Sequence, residues 1–210
     1  MAFRDYRKYT ASELQKIFHV ELKPHEDLFP QFMPSEKHYD DVQSDMMKMS
    51  SRLRLSKFDN EATRGSLLVS RVLWTAGERY HLGVFFEPLV SVQDAVPIDV
   101  PHQLNGAYDG AVSLDEIDCV SPIIAVVEVK RSSLSDGLGQ CLAEMYATLY
   151  AFHQEQVYGI ITDGEVWEFL LLAHAVLAVD GQNYYIKNVA DIVDRIGYIA
   201  TRFPSSKTGE

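Results

Sequence analysis

Apolar residues recur at helical spacing in some stretches and at strand spacing in others, and their order sketches the fold. ASELQKIFHVEL carries a short helical pattern, and DLFPQFMPSEK after it reads as loop, because Pro30 and Pro34 interrupt any regular element. Asp59 or Asn60 is placed to cap a helix through NEATRGSLLVSRVLWTA, with Ala62, Leu67, Leu68, Val72 and Leu73 as its apolar face and Gly77 as its stop. Three segments rich in β-branched and aromatic residues follow: YHLGVFFEPLVSV, QLNGAYDGAVSL and PIIAVVEVK. They predict an antiparallel meander. LGQCLAEMYATLYAFH returns to helical spacing, with Leu142, Met145, Tyr146, Leu149 and Phe152 on one side. VYGIIT and VWEFLLL predict a hairpin turning at Asp163-Gly164, and HAVLAVDGQNYYI a second one turning at Asp180-Gly181. VADIVDRIGYIATRF closes the chain as an amphipathic helix. The expected class is mixed α/β, with antiparallel early strands and a later crossover helix. Residues 1–57 read as a partly helical N-terminal appendage to a core at 58–210.

Composition narrows the class without changing it. The 210 residues suffice for one domain with a sizeable core, and 47% hydrophobic with 23% charged residues is a soluble globular composition. The apolar runs are too short or too interrupted to span a bilayer, and MAFRDYRKYTASEL has no signal-like apolar region. No membrane partner is expected, and an intracellular, cytoplasmic location follows by default. Cys119 and Cys141 are too few for a disulfide framework and read as buried thiols. The net charge of -11 argues against a general nucleic-acid-binding field, though an acidic total can hide a basic strip. MMKMSSRLRLSKF, with Lys48, Arg52, Arg54 and Lys57, is the candidate strip, or else a solvated face.

The chemistry concentrates in AVVEVKR. Along a strand, side chains alternate, so Ala125, Val127 and Val129 share one face while Val126, Glu128 and Lys130 share the other. One strand earlier, Asp109 stands mid-segment beside Gly110, where the meander brings it next to Glu128. Two carboxylates aimed at one spot repel unless a cation lies between them, and a hard divalent ion takes oxygen ligands of this kind. Lys130 could then hold or deprotonate a water, or offset charge on a phosphoryl transition state. The plainer alternative is an ordinary Glu128–Lys130 ion pair with Asp109 in a turn.

YDG, then VVEVKR, then a helix beginning GQ resembles the PD-(D/E)XK nuclease superfamily, the restriction-endonuclease-like fold. NEATR and VYGIITDGEVWEF are similar to segments of the nuclease domains of type I restriction motor subunits. The resemblance spans roughly Asn60 to Leu172, with Tyr108 where the family's Pro stands. It implies a restriction-endonuclease-like core of helix, three-strand meander, crossover helix and further strands, in a nuclease domain at 58–210. It also implies Mg²⁺, with Mn²⁺ as a substitute, held by Glu61, Asp109, Glu128 and the Val129 carbonyl. Asp109, Glu128, Lys130 and Gln140 become the expected catalytic residues, with Glu144 an alternative to Gln140 for the inward position one helical turn on. Arg64 shares a helix face with Glu61. The implied substrate is nucleic acid, DNA in the first instance, with a homodimer or a partner subunit as a source of basic surface. A catalytically silent accessory or interaction subunit on the same fold is the alternative.

Other residues add little chemistry. The seven histidines are scattered and give no zinc pattern. Ser132, Ser133 and Ser135 lack a nucleophile elbow, and Gly137-Leu138-Gly139 lacks the ending of a P-loop. Trp74 and Trp167 could stack on bases or pack in the core.

Overall fold

A computed structural model describes residues 3–92 and 100–204. Phe3–Lys8 form a 3-10 turn, followed by helix α1 (Ala11–Phe18), strand β1 (Glu21–Glu26) and helix α2 (Asp40–Leu53). A helix capped by the Asn60 side chain begins as α3 (Glu61–Arg64), loosens into a π turn (Gly65–Val69) and continues as α4 (Ser70–Tyr80). Strands β2 (Gly83–Phe86), β3 (Leu89–Ser91), β4 (Asn105–Ala107), β5 (Gly110–Ser113) and β6 (Ile123–Val129) come next. Helix α5 (Leu138–Ala151), strands β7 (Gln156–Thr162), β8 (Val166–Ala173) and β9 (Val176–Tyr185), and helix α6 (Val189–Ala200) complete the chain.

Seven strands make one mixed sheet in the order β1-β9-β8-β7-β6-β5-β2, and β3 pairs with β4 as a separate ribbon. The early strands β2, β5 and β6 are antiparallel neighbours, as the sequence predicts, while β6 and β7 run parallel because α5 carries the chain across. Apolar residues of α4 and α6 cover one face, with Val127 and Val129 of β6 beneath them. Phe3, Tyr6, Leu14 and Phe18 pack with the apolar side of α5 over the other face, which takes Val126. Among the described residues, no helix is long and apolar enough to cross a membrane.

Several expectations are corrected. The first two strands each break in two, because Glu87 takes a left-handed conformation (φ 51°) before Pro88, and the chain bends at Asp109. Asp109 therefore stands at the entrance to β5 and not inside a strand. Gly77 does not end its helix, which runs to Tyr80 and closes on His81 in the left-handed conformation. A Cβ at Gly77 would lie 3.0 Å from both the Leu82 carbonyl and Val84, so the glycine serves a close approach. The π turn shifts the helix face, leaving Ala62 and Leu67 exposed while Leu68, Val69, Val72 and Leu73 are buried. Asp180-Gly181 is not a hairpin turn but lies within β9, and the chain reverses instead at His174 and Ala175 (φ 49° and 61°). Asp180 accepts hydrogen bonds from the Tyr184 hydroxyl and the Gln182 amide, and Gly181 lies close under the His25 backbone. Of the two tryptophans, Trp167 is fully buried and Trp74 is exposed.

Residues 3–57 share sheet and core with the rest of the chain. Strand β1 pairs in parallel with β9, and Met46 and Leu53 of α2 join the α4–α6 core. The basic strip resolves into α2 and its end: Lys48 pairs with Asp45 in an i,i+3 arrangement, and Arg54 with Glu165. Half of its charge is locally compensated.

Candidate active site

Strand register builds the site. Gly110 lies opposite Val127, so the antiparallel ladder sets Asp109 across from Glu128. The Asp109 carboxylate accepts a hydrogen bond of 2.7 Å from the Val129 amide, which fixes it beside the end of β6. Asp109 is exposed to the groove, yet the mass of protein around it raises its carboxyl pKa; the Val129 amide and the Lys130 charge act in the opposite direction.

Glu128 and Lys130 follow on one face of the strand, and both are buried, 1% and 6% exposed. The Lys130 ammonium donates to Glu128 and lies 3.4 Å from the Gln140 amide oxygen and 3.8 Å from Glu61. Its backbone amide donates to the Thr162 carbonyl at 2.8 Å, holding the residue to β7 after the strand proper has ended. Gly137 leaves space for the side chain, since a Cβ there would sit 3.4 Å from the Lys130 stem. Burial lowers the lysine pKa, but Glu128, Glu61 and Asp109 outweigh it and raise the value overall. Lys130 is an ammonium.

The sequence left Gln140 and Glu144 as alternatives for the inward position, and the structure uses both. Gln140 reaches Lys130 with its carbonyl oxygen and donates from its amide nitrogen to Glu144 at 3.2 Å. Glu144 is wholly buried on α5, its main-chain carbonyl accepting from Thr148 at 2.8 Å. Burial, followed by the charges of Glu128 and Asp109, holds its carboxyl far above the ordinary range. Glu128 is raised by the same burial and by Asp109, with Lys130 opposing. One oxygen of Glu128 and one of Glu144 are buried without a partner if both acids are ionised. A proton retained on Glu144 supplies the missing donor for Glu128.

Glu61 and Arg64 depart from expectation. Glu61 is half exposed, and its carboxylate turns to the Lys130 ammonium. Among the described residues no group of three or more His, Cys, Asp or Glu is disposed to hold a metal ion, so the expected set of Glu61, Asp109 and Glu128 is not assembled. Arg64 is buried and faces away from Glu61, bonding Asp59 at 2.6 Å and the Asp163 carbonyl at 2.8 Å. It ties the start of α3 to the β7–β8 turn. Of Val129, the amide is the group that reaches the cluster, through Asp109.

Asp109 and Glu128 alone still suit a hard cation. Mg²⁺ commonly takes one or two carboxylates and completes its shell with water and phosphate oxygens, and Asp109 and Glu128 stand opposite each other across the β5–β6 ladder. Asp109 opens on a cavity of about 670 Å³ lined also by Glu61, Ala62, Val69, Leu73, Phe86 and Val129, with Glu128 buried behind it. No protein-family model matches the chain, and no curated protein matches it.

Proposed function

We infer that the chain is a metal-dependent phosphodiesterase acting on nucleic acid, with DNA as the first substrate to test. The observation that carries the reading is the facing of Asp109 and Glu128 across the β5–β6 ladder, with Lys130 two residues on donating to Glu128. Asp109 and Glu128 would hold Mg²⁺ or Mn²⁺, which when bound supplies Lewis-acid stabilisation and a more acidic water. The protein's own contribution starts with rigidity, because β6 is buried along its whole length and Asp109 is pinned by the Val129 amide. With Glu128, Glu61 and Asp109 around it Lys130 carries a proton, and as an ammonium it would orient a water by hydrogen bonding and offset negative charge growing on the phosphoryl oxygens. Gln140 and Glu144 hold Lys130 and Glu128 in place from behind.

The experiment is cleavage of plasmid DNA, single-stranded DNA and RNA with Mg²⁺ or Mn²⁺, beside Asp109→Ala and Lys130→Ala. Metal-dependent cleavage lost in both variants supports the reading, and cleavage surviving either one overturns it. A second reading, a catalytically silent accessory subunit on the same fold, is favoured by the net charge of -11 and by Glu61 turning to Lys130. Its signature is no cleavage together with no Mn²⁺ binding by calorimetry at millimolar concentration.

A further inference from the structure

Glu61 separates two cavities. Beyond it from the Asp109 groove lies a second hollow of about 350 Å³, whose walls include Arg7, Lys8, Lys130, Arg131, Ser132 and Ser133. Its acids are Glu61 and Asp136, and the first already faces Lys130. Arg7, Lys8 and Arg131 are exposed, and among the described residues none of the three has an ion-pair partner. In a chain of net charge -11, Arg7, Lys8, Lys130 and Arg131 against Glu61 and Asp136 on one hollow make a local field opposite to that of the whole molecule.

The cations are held there by the core. Phe3 and Tyr6 are buried, Tyr6 lies 5.2 Å from Phe18 ring to ring, and its hydroxyl donates to the His102 carbonyl at 2.6 Å. The turn rests on α5 at Gly139, where a Cβ would come within 2.2 Å of the Tyr6 carbonyl. Arg7 and Lys8 therefore project from a fixed support, and Arg131 and the two serines from the segment directly after Lys130.

We propose that Arg7, Lys8 and Arg131 form a phosphate subsite that binds the backbone phosphate neighbouring the one presented to Asp109 and Glu128. The guanidinium groups offer forked donors matched to phosphate oxygens, and the serine hydroxyls add neutral donors. The hollow has room for a phosphate with its sugar. This rests on the reading of Asp109, Glu128 and Lys130 as a phosphodiester site, and it gives an acidic protein a positive contact for the backbone.

The test measures binding without catalysis: anisotropy of a labelled single-stranded oligonucleotide in EDTA over a salt series, with inorganic phosphate as competitor. Arg7→Gln/Lys8→Gln/Arg131→Gln is expected to weaken binding about tenfold and to lower the log–log salt slope by about 2, at about 0.7 per phosphate contact on a single strand. A charge-matched control, Lys23→Gln/Lys37→Gln/Lys187→Gln, is expected to stay within about twofold. Should the triple variant melt early, Arg131→Gln alone is read for a slope lower by about 0.7. Equal weakening in both triples, or no binding by the unaltered protein in EDTA, overturns the subsite. Cleavage with Mn²⁺ is measured on the same preparations. Binding without cleavage removes the nuclease reading and leaves the subsite, whereas cleavage with unchanged KM in the Arg7/Lys8/Arg131 variant does the reverse.

Discussion

Glu128 sits where a carboxylate is costly, and the groups around it decide its behaviour. Burial and Asp109 raise its pKa, and Glu144 is raised further by the same causes. For such groups the folded state binds protons more tightly than the unfolded chain, so their contribution is full below the ordinary carboxylate value and is lost as pH rises through the folded one. Metal-free protein is expected to lose thermal stability as pH rises from about 4.5 through neutrality. Glu144→Gln is expected to flatten that slope in a melting series, and a series that rises with pH would contradict the assignment. Lys130→Met leaves Glu128 without its cation, and cleavage is expected to fall at least about a hundredfold at saturating substrate. Much of this was legible in the sequence, because strand alternation alone puts Glu128 and Lys130 on one face. The double use of Gln140 and Glu144 was not, since helical spacing gives a shared face without the depth of each side chain.

Elements are placed by a few polar ties. Arg64 fastens the start of α3 to the β7–β8 turn through Asp59 and Asp163, and Arg54 bonds Glu165 in the same turn. The hydrogen bond from Arg64 holds Asp59 below the usual carboxylate range, and that from Arg54 does the same for Glu165. Groups lowered in this way stabilise the fold above their unfolded pKa, and the contribution is lost as pH falls through the lowered one. Acid is therefore expected to free the first turn of α3 early, seen as faster amide exchange at Thr63 and Arg64 below about pH 4. Arg64→Met, which removes the cation shared by the partly buried Asp59, Asp163 and Glu165, is expected to cost about 2 kcal/mol in denaturant unfolding. The sequence pairs Arg64 with Glu61 because both lie on one helix, and it carries no signal for partners a hundred or so residues away. Turn chemistry was similarly partial. Asp163-Gly164 turns as predicted, with Gly164 at φ 84°, while Asp180-Gly181 has the same letters but packs against β1 and continues its strand.

At the scale of the molecule, charge and chain continuity matter most. The acidic surplus was plain from composition, whereas the basic hollow combines Arg7 and Lys8 with Arg131, positions that no local window brings together. The division at residue 57 rested on a change in pattern, and the sheet crosses it by the β1–β9 pairing. A chain beginning at residue 58 would uncover Phe169 and Tyr184, which pack on Phe29, and Tyr146 of α5, which packs on Phe18. It is expected to lose cooperative unfolding, which a single calorimetric transition surviving the truncation would contradict.

Gly139 has a mechanical meaning. It carries the weight of the N-terminal turn, and the very next residue, Gln140, grips Lys130. The turn and the lysine are thus the two arms of a short lever whose fulcrum is the first turn of α5. Gly139→Ala, which pushes Tyr6 outward, should loosen Lys130 without touching it, and an anion drawn in by Arg7 should tighten α5 from the same end, slowing amide exchange at Cys141 and Leu142.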